Sequence, residues 1–278
     1  VDWSPFGLSR RPFRPAVDPA AYFPAASHEA ALAGVAAAFA RRDPAALIDG
    51  LPGVGKSLVA RRWLDRLPAD VPRAVVANPH AAGPAELLQA ILFDLGRPYQ
   101  GLAEQELRLA VTAELLGDGG REYPTVLVID EAQNLTPAAV EELRLLGNVE
   151  TADGAAAFVL LVAQPGLRES LGRAFAQRVA ARHRVEPFTP DEAAAYLRHQ
   201  AGAAFDDEAV SVLAGASGGV PRVLNQAAAL AGELAAAAGA DRVDAEAALE
   251  ALARLGLDPP AEAPPAPPPR KPARKRAA

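Results

Sequence analysis

Two patterns of apolar spacing alternate along the first two thirds of the chain. Short runs in which nearly every position is apolar are separated by longer stretches in which apolar residues recur every three or four positions. The runs are Ala45–Asp49 (AALID), Ala74–Ala77 (AVVA), Thr125–Asp130 (TVLVID) and Phe158–Ala163 (FVLLVA), with Arg182–Glu186 (RHRVE) as a fifth. Unbroken apolarity over four to six residues predicts strands buried on both faces. The intervening periodic stretches predict helices over Lys56–Leu67, Pro84–Leu95, Leu102–Leu116, Pro137–Gly147 and Leu167–Ala180. Pro84 and Pro137 stand at first-turn positions, where a missing N–H costs nothing. Strands joined through helices of ten or more residues imply an α/β fold with a parallel sheet in the middle of three layers.

From Thr189 onward the strand pattern stops. Thr189-Pro-Asp-Glu combines an N-cap, a first-turn proline and first-turn acids, and so opens a helix. Further helices follow at about Asp207–Ala214, Val220–Ala238 and Asp244–Leu255. The expected organisation is a sheet domain over 1–187, including an N-terminal arm over 1–32, then a small all-helical domain over 188–257. Residues 258–278 read DPPAEAPPAPPPRKPARKRAA, which holds almost no core-forming side chain and predicts a disordered, partly polyproline tail.

Composition narrows the chemistry. Half of the 278 residues are apolar, but about a quarter are Ala, which favours helix and adds little hydrophobic area. Cys is absent, so disulfides, thiol catalysis and Cys-based metal sites are excluded. The four His (His28, His80, His183, His199) share no metal-ligand spacing. No apolar window is long enough for a transmembrane helix, and the first thirty residues, with five prolines, do not resemble a secretory signal. A cytoplasmic setting is expected. The net charge of −6 is uneven: the tail carries Arg270, Lys271, Arg274, Lys275 and Arg276 against Asp258 and Glu262, so the body is strongly acidic. An acidic body is a poor non-specific binder of nucleic acid, whereas the tail suits an acidic partner.

One segment carries specific chemistry. Gly50, Leu51, Pro52, Gly53, Val54, Gly55, Lys56 and Ser57 match G-x-x-x-x-G-K-[ST] between a predicted strand and a predicted helix, with Leu58 continuing the helix. Glycines there let successive main-chain N–H groups curl around phosphates, and the helix adds its positive end. Lys56 supplies a mobile charge for the β- and γ-phosphates, and the Ser57 hydroxyl suits Mg²⁺. The chain has 25 Arg and 3 Lys, and Lys56 is the only Lys before residue 270. A lone ammonium among so many guanidinium groups stands where a flexible point charge is required. About seventy residues later, Val126-Leu-Val-Ile-Asp130-Glu131 ends a strand in two carboxylates. Asp130 is a candidate for holding Mg²⁺ and Glu131 for activating water as general base.

The two motifs and their flanking phrases resemble the AAA+ P-loop ATPases, in particular the ExeA or general-secretion-pathway-protein-A type, which is related to the TniB-type transposition helpers. The similarity spans roughly residues 3 to 255. It includes Phe6-Gly-Leu, Pro12-Phe13, Asp18-Pro19, Tyr22-Phe23 and Ser27-His28-Glu29-Ala30-Ala31-Leu32 near the start. It continues through Ile129-Asp-Glu-Ala-Gln-Asn-Leu135, Glu141-Glu-Leu-Arg-Leu-Leu146 and Asn148-Val-Glu-Thr151. The resemblance implies a P-loop NTPase sheet followed by a helical lid, with ATP and Mg²⁺ as ligands. It places Gln164 at the first sensor position, although Ala163 stands where the family phrase has Gly. It places a finger reaching a neighbouring subunit's γ-phosphate in the stretch Gln177-Arg178 to Arg182, where Arg178 is preferred because Arg182 abuts the predicted fifth strand, and it makes Arg222 of Gly218-Gly-Val-Pro-Arg222 the second sensor. Pro5, Phe6, Pro12 and Phe13 are expected over the adenine, with His28 and Glu29 starting a helix near the base.

The resulting expectation is an ATP-hydrolysing motor or nucleotide switch acting on a macromolecular partner, a protein first and DNA second, and the resemblance implies nucleotide-dependent homo-oligomers. Secretion-type relatives continue into a membrane span and a peptidoglycan-binding domain; neither pattern occurs here, so a stand-alone cytoplasmic ATPase is expected. Two other classes stay open: a DNA-transaction helper, and a nucleotide-gated binding module that does not hydrolyse.

Overall fold

The computed structural model describes residues 3–14, 21–79, 83–117, 122–152 and 154–257; the predicted tail at 258–278 lies outside them. In chain order the elements are α1 (Ala26–Ala40), β1 (Ala45–Gly50), α2 (Lys56–Leu64), β2 (Arg73–Val76), α3 (Pro84–Asp94), α4 (Glu104–Leu116), β3 (Thr125–Ile129) and α5 (Pro137–Leu146). A two-residue hairpin, β4 (Glu150–Thr151) and β5 (Gly154–Ala155), precedes β6 (Ala157–Ala163). Then come α6 (Leu167–Ser170), α7 (Gly172–Ala176), β7 (Val179–Val185), α8 (Pro190–Ala201), α9 (Asp207–Ala216), α10 (Pro221–Ala237) and α11 (Ala245–Leu255).

The main sheet has strand order β2-β3-β6-β1-β7, and every pairing in it is parallel. Alternation along each strand divides the core into two layers. Leu47, Leu127, Ile129, Val159 and Leu161 pack with α3, α4 and α5 on one face. Ile48, Val126, Val128, Phe158 and Leu160 pack with α1 and α2 on the other. Both faces of β1, β3 and β6 are therefore buried, as their unbroken apolar runs require. No helix among the described residues is long and apolar enough to cross a membrane.

The predicted helix over Leu167–Ala180 divides in three. Gly172 adopts φ +71° and breaks it into α6 and α7, and β7 begins at Val179, pulled into the sheet by pairing with β1. The β4–β5 hairpin carried no apolar pattern and was not anticipated. At the start of α8, Thr189 and Glu192 form a reciprocal capping box, and the Glu192 carboxylate also accepts from the Ala26 N–H that opens α1. These backbone donors outweigh the effect of burial, which works the other way, and hold Glu192 below the usual carboxylate range.

Helices α8–α11 share a separate core, and the arm contributes to it. Trp3, Phe6 and Phe13 are buried among Phe205, Leu224, Ala228 and Ala231. The Trp3 ring lies on Gly232, where a Cβ would come within 2.1 Å of it. Within this unit Gly219 seats the segment that leads into α8: it has φ +72°, a Cβ there would meet the Phe188 carbonyl at 2.0 Å, and its own carbonyl accepts from the Phe188 N–H.

On the outer strand, His183 packs onto Gly34 of α1, and its Nε2 is buried without a partner among the described residues. Burial holds its pKa below the ordinary imidazole value. The unfolded chain therefore takes up a proton near pH 6.5 that the folded chain refuses, so stability falls as pH drops below that value. His28, also buried and also lowered, contributes with the same sign. Replacing His183 by Leu should reduce the stability lost between pH 7 and pH 5.5 by up to about 1 kcal/mol, read by urea denaturation at each pH. Equal losses in the two proteins would contradict this.

Candidate functional site

The loop after β1 is shaped by how closely other backbone approaches it. A Cβ at Gly50 would lie 2.4 Å from the Val185 carbonyl of the neighbouring strand. Gly53 and Gly55 adopt φ +83° and +101°, which side-chain-bearing residues rarely tolerate. A Cβ at Gly53 would lie 2.9 Å from Arg222 Cβ, and one at Gly55 would lie 2.8 Å from His28 Nε2. Gly55 ends the loop as the residue before α2, and no side chain caps that helix. Its first N–H groups thus remain available to an anion.

Three carbonyls of this loop are tied off. Lys56 Nζ donates to the Leu51 carbonyl at 2.9 Å, the Arg222 N–H donates to the Gly53 carbonyl at 3.2 Å, and His28 Nε2 lies 2.9 Å from the Val54 carbonyl. Because a carbonyl can only accept, the last contact assigns the proton of a neutral His28 to Nε2. A trans peptide points its N–H opposite to its C=O. Holding the Gly53 and Val54 carbonyls outward therefore turns the N–H groups of Val54 and Gly55 the other way.

Lys56 is 5% exposed. Burial lowers its pKa; the carboxylates of Glu131 and Asp130 oppose that shift, and Arg222 adds to it. The ammonium has three donors, and Leu51 takes one of them. Lys56, Ser57, Leu58, Gly53 and Gly55 line a cavity of about 720 Å³ together with Glu131 and Arg222.

The carboxylate pair stands at the end of β3. Asp130 Oδ1 accepts from the Glu131 N–H at 3.0 Å, and Glu131 itself has φ +53°, an uncommon conformation for a residue with a long side chain. Gln164 directly follows β6, the neighbour of β3, and its N–H donates to Gln133 Oε1 at 3.1 Å. Asp130 and Gln164 flank the cavity at these strand ends and are not among the residues lining it. Arg178 donates to the Gly147 carbonyl at the end of α5, 3.1 Å away, within its own chain. Arg182 and Arg184 both bind Asp49, which stands one residue before the end of β1 and is 1% exposed. Burial works to raise the Asp49 pKa, but the hydrogen bonds from Arg184 and Arg182 outweigh it and hold the carboxyl below its ordinary range.

Aromatic side chains also line the cavity. Phe23, Phe188 and Tyr196 meet with ring centroids 5.3–5.8 Å apart, and the Tyr196 hydroxyl donates to Asn225 Oδ1 at 2.8 Å. Of the four arm residues expected over the base, Pro12 and Phe13 line the cavity. Pro5 is exposed and Phe6 is buried in the helical unit, so these two do not. Glu29 accepts from the Tyr22 hydroxyl at 2.7 Å. Sequence reasoning missed three participants: the role of His28 as a brace for the loop, the Asp49 clamp, and Gln133. His28 falls in register with Ala31, Leu32 and Val35 on the buried face of α1, and Asp49 is the lone acid in an otherwise apolar strand. Nothing local marked Gln133.

Among the described residues no group of three or more His, Cys, Asp or Glu lies close enough to hold a metal ion. One hydroxyl and one carboxylate, Ser57 and Asp130, match the sparse protein ligation of a Mg²⁺ that also binds substrate phosphates.

A family model described as an AAA domain matches residues 40–171. General secretion pathway protein A of Aeromonas hydrophila is 33% identical over 231 residues, 79% of this chain and 42% of that protein. Residues 40–171 are thus an AAA domain, and the chain is similar to the general-secretion-pathway-protein-A type. It spans about two fifths of the length of that relative. Solved structures share the fold. The ORC2 protein of Aeropyrum pernix, in ADPNP–ADP complexes, superposes with a TM-score of 0.66 at 17% identity, over 82% of this chain and 66% of that one. Cdc6p of Pyrobaculum aerophilum gives 0.66 at 21%, over 87% and 68%. The RuvB Holliday junction branch migration motor of Thermotoga maritima gives 0.60 at 20%, over 83% and 69%.

The brace on the AAA+ loop is testable. His28→Ala leaves the Val54 carbonyl without its donor, so nucleotide affinity should fall about tenfold, corresponding to about 1.4 kcal/mol. Fluorescent-nucleotide titration reads this; unchanged affinity would remove His28 from the site.

Proposed function

We propose that this chain binds ATP with Mg²⁺ and hydrolyses it to ADP and phosphate, and that the cycle drives a motor or switch acting on a protein partner. The observation that supports this most is the loop whose Leu51, Gly53 and Val54 carbonyls are each held by a donor, with the buried Lys56 ammonium among those donors. Inward N–H groups, a helix start and a desolvated cation form a site for a polyphosphate. Phe23, Phe188 and Tyr196 in the cavity wall suit a planar base, and Arg222, whose N–H already rests on Gly53, suits the second sensor role.

Ser57 and Asp130 would hold Mg²⁺, which supplies positive charge to the phosphate oxygens when bound. Glu131 would take a proton from water as the water oxygen bonds to the γ-phosphorus and the bond to the β–γ bridging oxygen breaks, releasing ADP. Gln164 would orient the reacting phosphate. Arg178 would serve a neighbouring subunit in a nucleotide-dependent homo-oligomer, after exchanging its Gly147 carbonyl for that subunit's γ-phosphate. We place the protein in the cytoplasm, where ATP is made available. The name of the relative makes a secretion component the first partner to consider. In the DNA-helper reading the contact would be made by basic residues 270–276, which lie outside the described residues, or by the helical unit α8–α11.

Two substitutions separate binding from chemistry. Lys56→Ala should abolish ATP binding, whereas Glu131→Gln should bind ATP normally and lose about 10²–10⁴-fold in turnover. Phosphate release measured beside nucleotide affinity checks both. Equal turnover by Glu131→Gln and wild type would remove the general-base assignment, and tight binding without any turnover by wild type would favour a nucleotide-gated binding module.

A further inference from the structure

We propose that Gln133 is a positioning residue that holds the Glu131 carboxylate in place and ties it to the end of β6. The inference rests on the reading of Glu131 as general base. Gln133 lies in a short turn, Ala132–Asn134, immediately after the carboxylate pair. Its side-chain amide is used at both ends: Nε2 donates to Glu131 Oε2, and Oε1 accepts from the Gln164 N–H. The orientation of the amide follows from its partners. The Gln164 N–H can only donate, so the atom facing it is the carbonyl oxygen; the opposite end, the NH₂, then meets a carboxylate that can only accept.

Two features make this link more than a local cap. Glu131 sits in the left-handed region at φ +53°, and its own N–H is closed by Asp130, so its backbone is fixed while its side chain retains three rotatable bonds. Gln133 is the contact that restrains that side chain. A neutral amide restrains the carboxylate through a hydrogen bond without placing a formal charge beside it, as an Arg at this position would. The second link reaches the main chain of Gln164, which directly follows β6, 31 residues away in sequence. Any shift of that strand end alters the Gln133 acceptor and, through the same planar amide, the donor on Glu131. Carboxylate placement is thereby coupled to the segment expected to meet the γ-phosphate.

Single-turnover hydrolysis and ATP affinity, measured with Mg²⁺ on the whole chain, test the assignment. Gln133→Ala should lower the hydrolysis rate by about 10–100-fold while ATP affinity changes less than about threefold. Gln133→Glu, which keeps an acceptor for the Gln164 N–H and loses the donor to Glu131, should show the same rate loss and guards against an Ala variant that does not fold. In a Glu131→Gln background, Gln133→Ala should cause no further loss, because its effect passes through the carboxylate. If Glu131→Gln is inactive but Gln133→Ala and Gln133→Glu hydrolyse at the wild-type rate, the positioning role is overturned and the base reading stands. Losses that add in full to those of Glu131→Gln, or that appear equally in affinity, would also overturn it. Wild-type turnover by Glu131→Gln would remove the base reading and the positioning role together.

Discussion

The structure depends on keeping one loop turned inside out. Main-chain N–H groups can face an anion only if their carbonyls are satisfied elsewhere, because buried carbonyls left unpaired are costly. Here two donors come from distant parts of the chain, His28 from α1 for Val54 and the Arg222 N–H from the start of α10 for Gly53, and the third, Lys56 at the start of α2, is local to Leu51. The glycines at 53 and 55 permit both the positive φ values and the close approach of Arg222 and His28.

The same contacts explain why the helical unit and the arm are coupled to the loop. Gly219 seats the Phe188 segment, and the Phe188 ring packs at a tilt against His28 with ring centroids 5.5 Å apart. Glu192 joins the N-termini of α8 and α1. A change at the loop therefore reaches the helical unit by two routes, through Gly53–Arg222 and through His28–Phe188. Trp3 and Phe13 anchor the arm in that unit, and Phe13 also lines the cavity, so movement of the unit carries part of the cavity wall with it.

Much of the fold could be read from local pattern. Unbroken apolar runs identified the central strands, and the Thr189 capping signal located α8, because both follow from interactions within a few residues. The helix expected over Leu167–Ala180 failed for the opposite reason: Gly172 and pairing between β7 and β1 overrode a helical periodicity. At the site, the phosphate loop and the two carboxylates stood out because their residue types are tied to their chemistry. The braces did not stand out. His28 and Val54 lie 26 residues apart, Asp49 and Arg182 lie 133 apart, and Gln133 and Gln164 lie 31 apart, so these partners are set by tertiary packing and leave no local signature.

The account turns on a cradle built for the outer phosphates of a nucleotide. Calorimetric titration of the whole chain with ATP, ADP and AMP, each with Mg²⁺, measures that directly. ATP and ADP should bind, with AMP weaker by at least about 100-fold, since Lys56 and the inward N–H groups would have no β-phosphate to hold. AMP binding as tightly as ADP would contradict it.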